Sequence, residues 1–262
     1  MPLLRRQSRL TEAIGRYGWD RCSISPNGLL WIGLAPHNEY ARAPTNVLPT
    51  DLRQICFVEG PEQAELVETF ALSPEAQRTE FLMIGTSHDY AKRKGPGPYN
   101  FAPALDALRT ARLPALRRLS LGDMEQLFNG SVYYGSVGDI THVFSMAPQL
   151  SELSICGSAN LERPVTHERL ETLSVRVDDI GVSGGPLRQA TVDHMLMSSL
   201  PALRTLDLSL DVEDVQPYAV PEAFFSDNRF PALENFGLDC LQPDAESRLR
   251  AWAEARKIRW MS

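Results

Sequence analysis

Pro114-Ala-Leu116-Arg-Arg-Leu119-Ser-Leu121, Pro148-Gln-Leu150-Ser-Glu-Leu153-Ser-Ile155 and Pro201-Ala-Leu203-Arg-Thr-Leu206-Asp-Leu208 are copies of one phrase. Pro231-Ala-Leu233-Glu-Asn-Phe236-Gly-Leu238 is a fourth copy, and Leu170-Glu-Thr-Leu173-Ser-Val175 is a fifth without the proline. Their common core is L-x-x-L-x-L. Alternate residues of a strand point to opposite faces, so the last two apolar positions face one way and the residue between them faces the other. A single copy cannot bury its own apolar face, whereas stacked copies share a continuous core. The prolines disfavour helix in the residue before them, so each closes a connecting segment and releases the chain into the next strand.

Further copies extend the pattern. Leu52-Arg-Gln-Ile55-Cys-Phe57 and Leu29-Leu-Trp-Ile32-Gly-Leu34 fit it, Thr79-Glu-Phe-Leu82-Met-Ile84 keeps two apolar positions, and Ala255-Arg-Lys-Ile258-Arg-Trp260 reads as a closing strand. The central apolar positions are then Ile32, Ile55, Leu82, Leu119, Leu153, Leu173, Leu206, Phe236 and Ile258, spaced 20 to 37 residues apart. The segments between them predict helices over Pro61 to Phe70, Phe101 to Arg112, Asp139 to Met146, Leu187 to Ser199 and Asp244 to Lys257.

These phrases, with Leu121-Gly-Asp-Met-Glu125 and Phe230-Pro-Ala-Leu233, resemble leucine-rich-repeat proteins over roughly residues 29–260, and in particular a bacterial cytoplasmic group without an assigned activity. The resemblance implies an α/β fold: an irregular leucine-rich-repeat solenoid with a curved parallel sheet on the concave side and helices and loops on the convex side. It implies a single domain over residues 1–262, with an N-terminal cap over 1–28 and a C-terminal capping helix and strand over 242–262. The chain departs from the standard pattern where Asn or Cys follows the strand. Met124, Ser158, Asp178, Asp211 and Leu241 stand there, so an uninterrupted asparagine ladder is impossible and the turns must satisfy their backbone groups otherwise.

Of the 262 residues, 43% are apolar, and no run approaches the ~20 apolar residues of a membrane-spanning helix. Arg5, Arg6, Arg9 and Arg16 precede no continuous apolar segment, which argues against a secretory signal and for a cytoplasmic setting. Cys22, Cys56, Cys156 and Cys240 are widely separated, with no C-x-x-C pair, so reduced thiols are expected. The net charge of −7 is unevenly spread: residues 1–120 hold 15 Lys+Arg against 12 Asp+Glu, and residues 121–262 hold 11 against 21. A half with a net charge of −10 (11 − 21) disfavours nucleic acid and suits a basic protein. The acidic residues follow strands: Asp123, Glu125, Asp178, Asp179, Asp211, Glu213, Asp214 and Asp239.

Catalytic signals are sparse. Gly181-Val-Ser183-Gly-Gly185 matches a nucleophile elbow, the basis of an alternative reading as a serine hydrolase using Ser183. That reading lacks a distant Asp-then-His pair, since His194 is the one histidine after Ser183. Ser87-His88-Asp89 are neighbours in sequence, whereas a triad is defined by convergence in space. His37, His142 and His167 are isolated and carry no metal-ligand spacing. Neither a metal nor a cofactor is expected.

The best-motivated surface is the outward side of the strands. It presents Trp31, Gln54, Phe81, Met83, Arg118, Glu152, Thr172, Arg176, Thr205, Asp207 and Asn235. Trp and Arg are common anchors of protein interfaces. Two loops add Lys92, Arg93, Lys94 and Tyr99, then Tyr133 and Tyr134 among glycines. The expectation is a non-enzymatic module that binds a protein partner by its concave face and these loops. In its specific form it is an immunity or antitoxin-like protein covering a basic toxin.

Overall fold

The computed structural model describes residues 9–18, 21–25, 27–33, 43–44, 48–58, 63–86, 99–122, 135–177, 187–210 and 216–261. Helix α1 (Arg9–Tyr17) leads into β1 (Cys22–Ile24), β2 (Leu29–Ile32), β3 (Ala43–Pro44) and β4 (Gln54–Phe57). There follow α2 (Ala64–Ala71), β5 (Phe81–Gly85), β6 (Tyr99–Asn100), α3 (Ala102–Asp106), β7 (Arg118–Gly122), β8 (Gly135–Asp139), α4 (Val143–Met146), β9 (Glu152–Cys156) and β10 (Ser158–Asn160). The chain continues through β11 (Thr172–Arg176), α5 (Gln189–Leu196), β12 (Thr205–Ser209), α6 (Glu222–Ser226), β13 (Asn235–Leu238), α7 (Pro243–Ala255) and β14 (Arg259–Trp260).

Among the described residues, eleven strands form one open sheet in the order β3-β1-β2-β4-β5-β7-β9-β11-β12-β13-β14. Every pair from β2 to β14 is parallel, and β1 lies antiparallel to both β2 and β3. The fold is thus mixed α/β around a large, mostly parallel sheet. No described helix is long and apolar enough to cross a membrane.

The register matches the phrase. Leu82, Leu119, Leu153, Leu173, Leu206 and Phe236 stand side by side, as do Ile84, Leu121, Ile155, Val175, Leu208 and Leu238. All twelve are buried, and they share one core with Leu10 and Ile14 of α1, Phe70 of α2, Val192 and Met195 of α5, Phe224 of α6 and Leu249 of α7. Burial of each such side chain contributes about 1.5–3 kcal/mol. The helices therefore cover one face of the sheet.

At both ends of the sheet the register differs from the expected one. Ile55 pairs with Leu30 where Ile32 was expected, and Phe236 pairs with Trp260 where Ile258 was expected. Each shift is two residues, which preserves the facing of every side chain. The expected helix from Asp139 also fails. Asp139 ends β8, and its carboxylate accepts from the Thr141 N–H (2.9 Å), so the helix begins only at Val143. The helix expected over 101–112 shortens to Ala102–Asp106, and that over 187–199 to Gln189–Leu196.

A second sheet of three parallel strands, β10-β8-β6, has no counterpart in the sequence reading. Gly157 turns the chain from β9 straight into β10 with φ +118°, and a Cβ there would lie 2.1 Å from the Gly135 carbonyl oxygen. Glycine is required on both counts.

A backbone device ties successive strands together. The Arg53 carbonyl accepts the N–H groups of both Glu80 and Phe81 (2.7 and 3.1 Å). In the same way, Glu80 accepts from Arg117 and Arg118, Arg117 from Ser151 and Glu152, Ser151 from Glu171 and Thr172, Glu171 from Arg204 and Thr205, and Arg204 from Glu234 and Asn235. One carbonyl per strand thus takes two donors from the next. Salt bridges Arg53–Glu80 (2.8 Å) and Arg204–Glu234 reinforce this edge.

Candidate functional site

The sheet face opposite the helices carries two further rows in register. One runs Gln54, Phe81, Arg118, Glu152, Thr172, Thr205, Asn235, and the other Cys56, Met83, Ser120, Ser154, Ser174, Asp207, Gly237. The two ends of this face differ in kind. At the N-terminal end Leu29, Trp31, Cys56, Val58 and Met83 form a second buried apolar cluster, with Phe81 packed against it. From β7 onward the face is polar. Arg118, Glu152 and Arg176 are exposed, and Ser120, Ser154, Thr172, Ser174, Thr205, Asp207 and Asn235 are half-buried.

The boundary between these two ends is a contact. The Arg118 guanidinium lies 4.7 Å from the centre of the Phe81 ring, on the strand before it, while Glu152 pairs with Arg118 from the strand after it. Further along, Asn235 Nδ2 donates to Thr205 Oγ1 (3.1 Å). Burial pushes the Asp207 carboxyl above the usual carboxylate range; Asp239 adds to that shift and Arg176 opposes it. The space beside Asp207 exists because Gly237 has no side chain: a Cβ there would sit 2.9 Å from Asp207 Oδ1.

The expected contact residues fall into three groups. Arg118, Glu152, Arg176, Asp207, Asn235 and the partly exposed Phe81 share this face. Trp31, Met83 and Tyr99 are only 2%, 4% and 8% exposed, so they are not surface as expected. Trp31 and Met83 belong to the second cluster, and Tyr99 joins the main core with its ring 6.3 Å from that of Phe101. Lys92, Arg93, Lys94, Tyr133 and Tyr134 lie outside the described residues, as do His37, Ser87, His88, Asp89, Ser183 and the acidic positions from Asp123 to Asp214 in the strand-following series. The Ser120–Ser154–Ser174 row on the same face is not among the expected contact residues; its signal in the sequence is the small residue between the last two apolar positions of each phrase.

The histidines within the described residues hold backbone. His194 Nδ1 lies 2.6 Å from the Leu161 carbonyl, His167 Nε2 3.1 Å from that of Ala147, and His142 Nε2 3.2 Å from that of Leu105. No described group of three or more His, Cys, Asp or Glu residues is arranged to hold a metal ion. The four cysteines, all described, form no disulfide. A cleft of about 710 Å³ opens at the C-terminal end of the sheet, between α7 and β14.

No protein-family profile matches the chain, and no curated protein matches it. Among solved structures, it is similar to the crystal structure of a Bacteroides fragilis protein, with 20% sequence identity and a TM-score of 0.46. The alignment covers 76% of this chain and 56% of the other, so the chain spans little more than half that protein's length. A likeness at that level carries no argument about this chain.

Proposed function

We propose that the chain is a leucine-rich-repeat solenoid that works as a non-enzymatic protein-interaction module. It docks a protein partner on the polar sheet face through Arg118, Glu152, Arg176, Asp207 and Asn235. The loops carrying Lys92, Arg93, Lys94, Tyr133 and Tyr134 join this contact set on sequence grounds alone. One observation carries the reading. Parallel sheets are ordinarily covered on both faces, yet from β7 to β13 this sheet carries helices on one face and a register-aligned polar array on the other. Stacked-repeat proteins use such extended faces for binding. The −10 charge of residues 121–262 (11 − 21) favours a basic partner by electrostatic steering, and an immunity or antitoxin-like role is the specific form of this proposal.

The test compares the proteins captured by the tagged wild-type chain with those captured by Arg118→Glu/Arg176→Glu, once circular dichroism has shown that the variant is folded. A basic protein bound by the wild type and lost by the variant supports the reading. Equal capture by both removes the sheet face from it.

A further inference from the structure

The carbonyl ladder at the start of the strands ends with an open rung. Glu234 accepts only Arg259 N–H (2.8 Å) from the following strand, because Ile258 N–H turns to the Ala253 carbonyl (2.9 Å) at the end of α7. Ile258 holds the next ladder position, and no described backbone donor reaches its carbonyl. The N–H groups of Arg259 and Met261 both point to β13, onto Glu234 and Phe236 (2.8 Å each). Strand alternation therefore turns the Trp260 N–H and C=O the other way, outward from the sheet. Three backbone groups are thus aligned as a further strand would need them.

The adjoining cleft of about 710 Å³ is lined in part by Glu234, Arg250, Glu254, Lys257, Arg259 and Trp260. Glu234 is held by Arg204, and Arg250 by Glu246 (2.8 Å), with the Arg250 guanidinium 4.7 Å from the centre of the Trp260 ring. Although residues 121–262 are strongly acidic, residues 251–262 hold three cations, Arg256, Lys257 and Arg259, against the single carboxylate of Glu254.

We propose that β14 is a docking edge for an extended acidic segment of a protein partner, which adds to the sheet as one more parallel strand. Its backbone would pair with the Ile258 carbonyl and the Trp260 N–H and C=O. An apolar side chain would pack on the Trp260 side of the sheet, and the flanking carboxylates would face Lys257 and Arg259. A second copy of the chain fits poorly, since pairing β14 with itself sets Lys257 and Arg259 against their own duplicates. This edge is separate from the polar face and stands or falls apart from it.

The test uses the full chain and a fluorescein-labelled seven-residue peptide alternating glutamate and valine, followed by anisotropy and by amide exchange at Trp260. Saturable binding with slowed Trp260 exchange is expected. Affinity should fall about tenfold or more for Lys257→Glu/Arg259→Glu and for a backbone N-methylated peptide, and stay unchanged for Arg118→Glu/Arg176→Glu. Absence of saturable binding, equal binding of the N-methylated peptide, or unaltered Trp260 exchange at saturation overturns the proposal. The cations would then serve only to block edge-to-edge pairing.

Discussion

Leu206→Ala, compared with its neighbour Thr205→Ala, tests the register on which the fold depends. Leu206 is fully buried and stands between Leu173 and Phe236, with helices packed over that face. Truncation removes about three methylene equivalents, each worth about 0.8 kcal/mol in transfer. It also opens a cavity between two strands fixed by ladder bonds on either side, which limits collapse. The sum is about 2–5 kcal/mol. Thr205 points to the other face, half-buried, and its hydroxyl accepts one hydrogen bond from Asn235 (3.1 Å). Losing that bond costs about 0.5–1.5 kcal/mol. In a chain of this size 1 kcal/mol shifts the melting temperature by about 2–4 °C. Leu206→Ala should therefore melt roughly 5–15 °C lower, and Thr205→Ala no more than about 5 °C lower. Thermal unfolding followed by circular dichroism reads both. Equal losses, or a larger loss for Thr205→Ala, would refute the assignment of faces.

Gly157→Ala combines a φ of +118° with a Cβ 2.1 Å from a backbone oxygen, whereas Gly28 has φ +82° and nothing within 4 Å of its Cβ. Gly157→Ala should cost about 3 kcal/mol or more in urea unfolding and Gly28→Ala about 1 kcal/mol, and parity between them would contradict the close packing of the two sheets. Asp207 has its folded pKa raised, first by burial and then by Asp239, so its ionised form opposes folding. That penalty is absent below the unfolded pKa and grows as pH rises through the folded one. Asp207→Asn should raise the melting temperature near pH 7 and leave it unchanged near pH 3; a gain of equal size at both would exclude the electrostatic cause.

Much of the fold could be read from the L-x-x-L-x-L phrase because its two apolar positions impose facing and stacking together. From Ile55 to Phe236 the central positions pair as read. The reading slipped where the pattern is degenerate. Leu30, Ile32 and Leu34 are apolar at three successive alternate positions, so Ile32/Leu34 and Leu30/Ile32 satisfy the phrase equally, and only pairing with β4 selects Leu30 and Ile32. The β6–β8–β10 sheet left no periodic trace, since its strands are two to five residues long, each with one buried apolar residue, and their pairing depends on backbone approach at Gly135 and Gly157. The candidate face was half legible. Alternation gave the direction of every side chain, but direction is not exposure, and Trp31 and Met83 point outward only to enter a second apolar cluster.

The doubly used carbonyls tie the strands together at their starts without any side chain. The carbonyl of the residue before each strand accepts from the corresponding residue before the next strand and from that strand's first residue. Because the acceptor is backbone, the side chain is released from any sequence requirement. The positions are accordingly Arg53, Glu80, Arg117, Ser151, Glu171 and Arg204. Charge can then be placed on that edge freely, and Arg53–Glu80 and Arg204–Glu234 use it for pairing between strands. A device that needs only backbone has a structural corollary: it can accept backbone from any chain. Its last rung, beside a cationic strand, is therefore where we place the acidic segment of a partner.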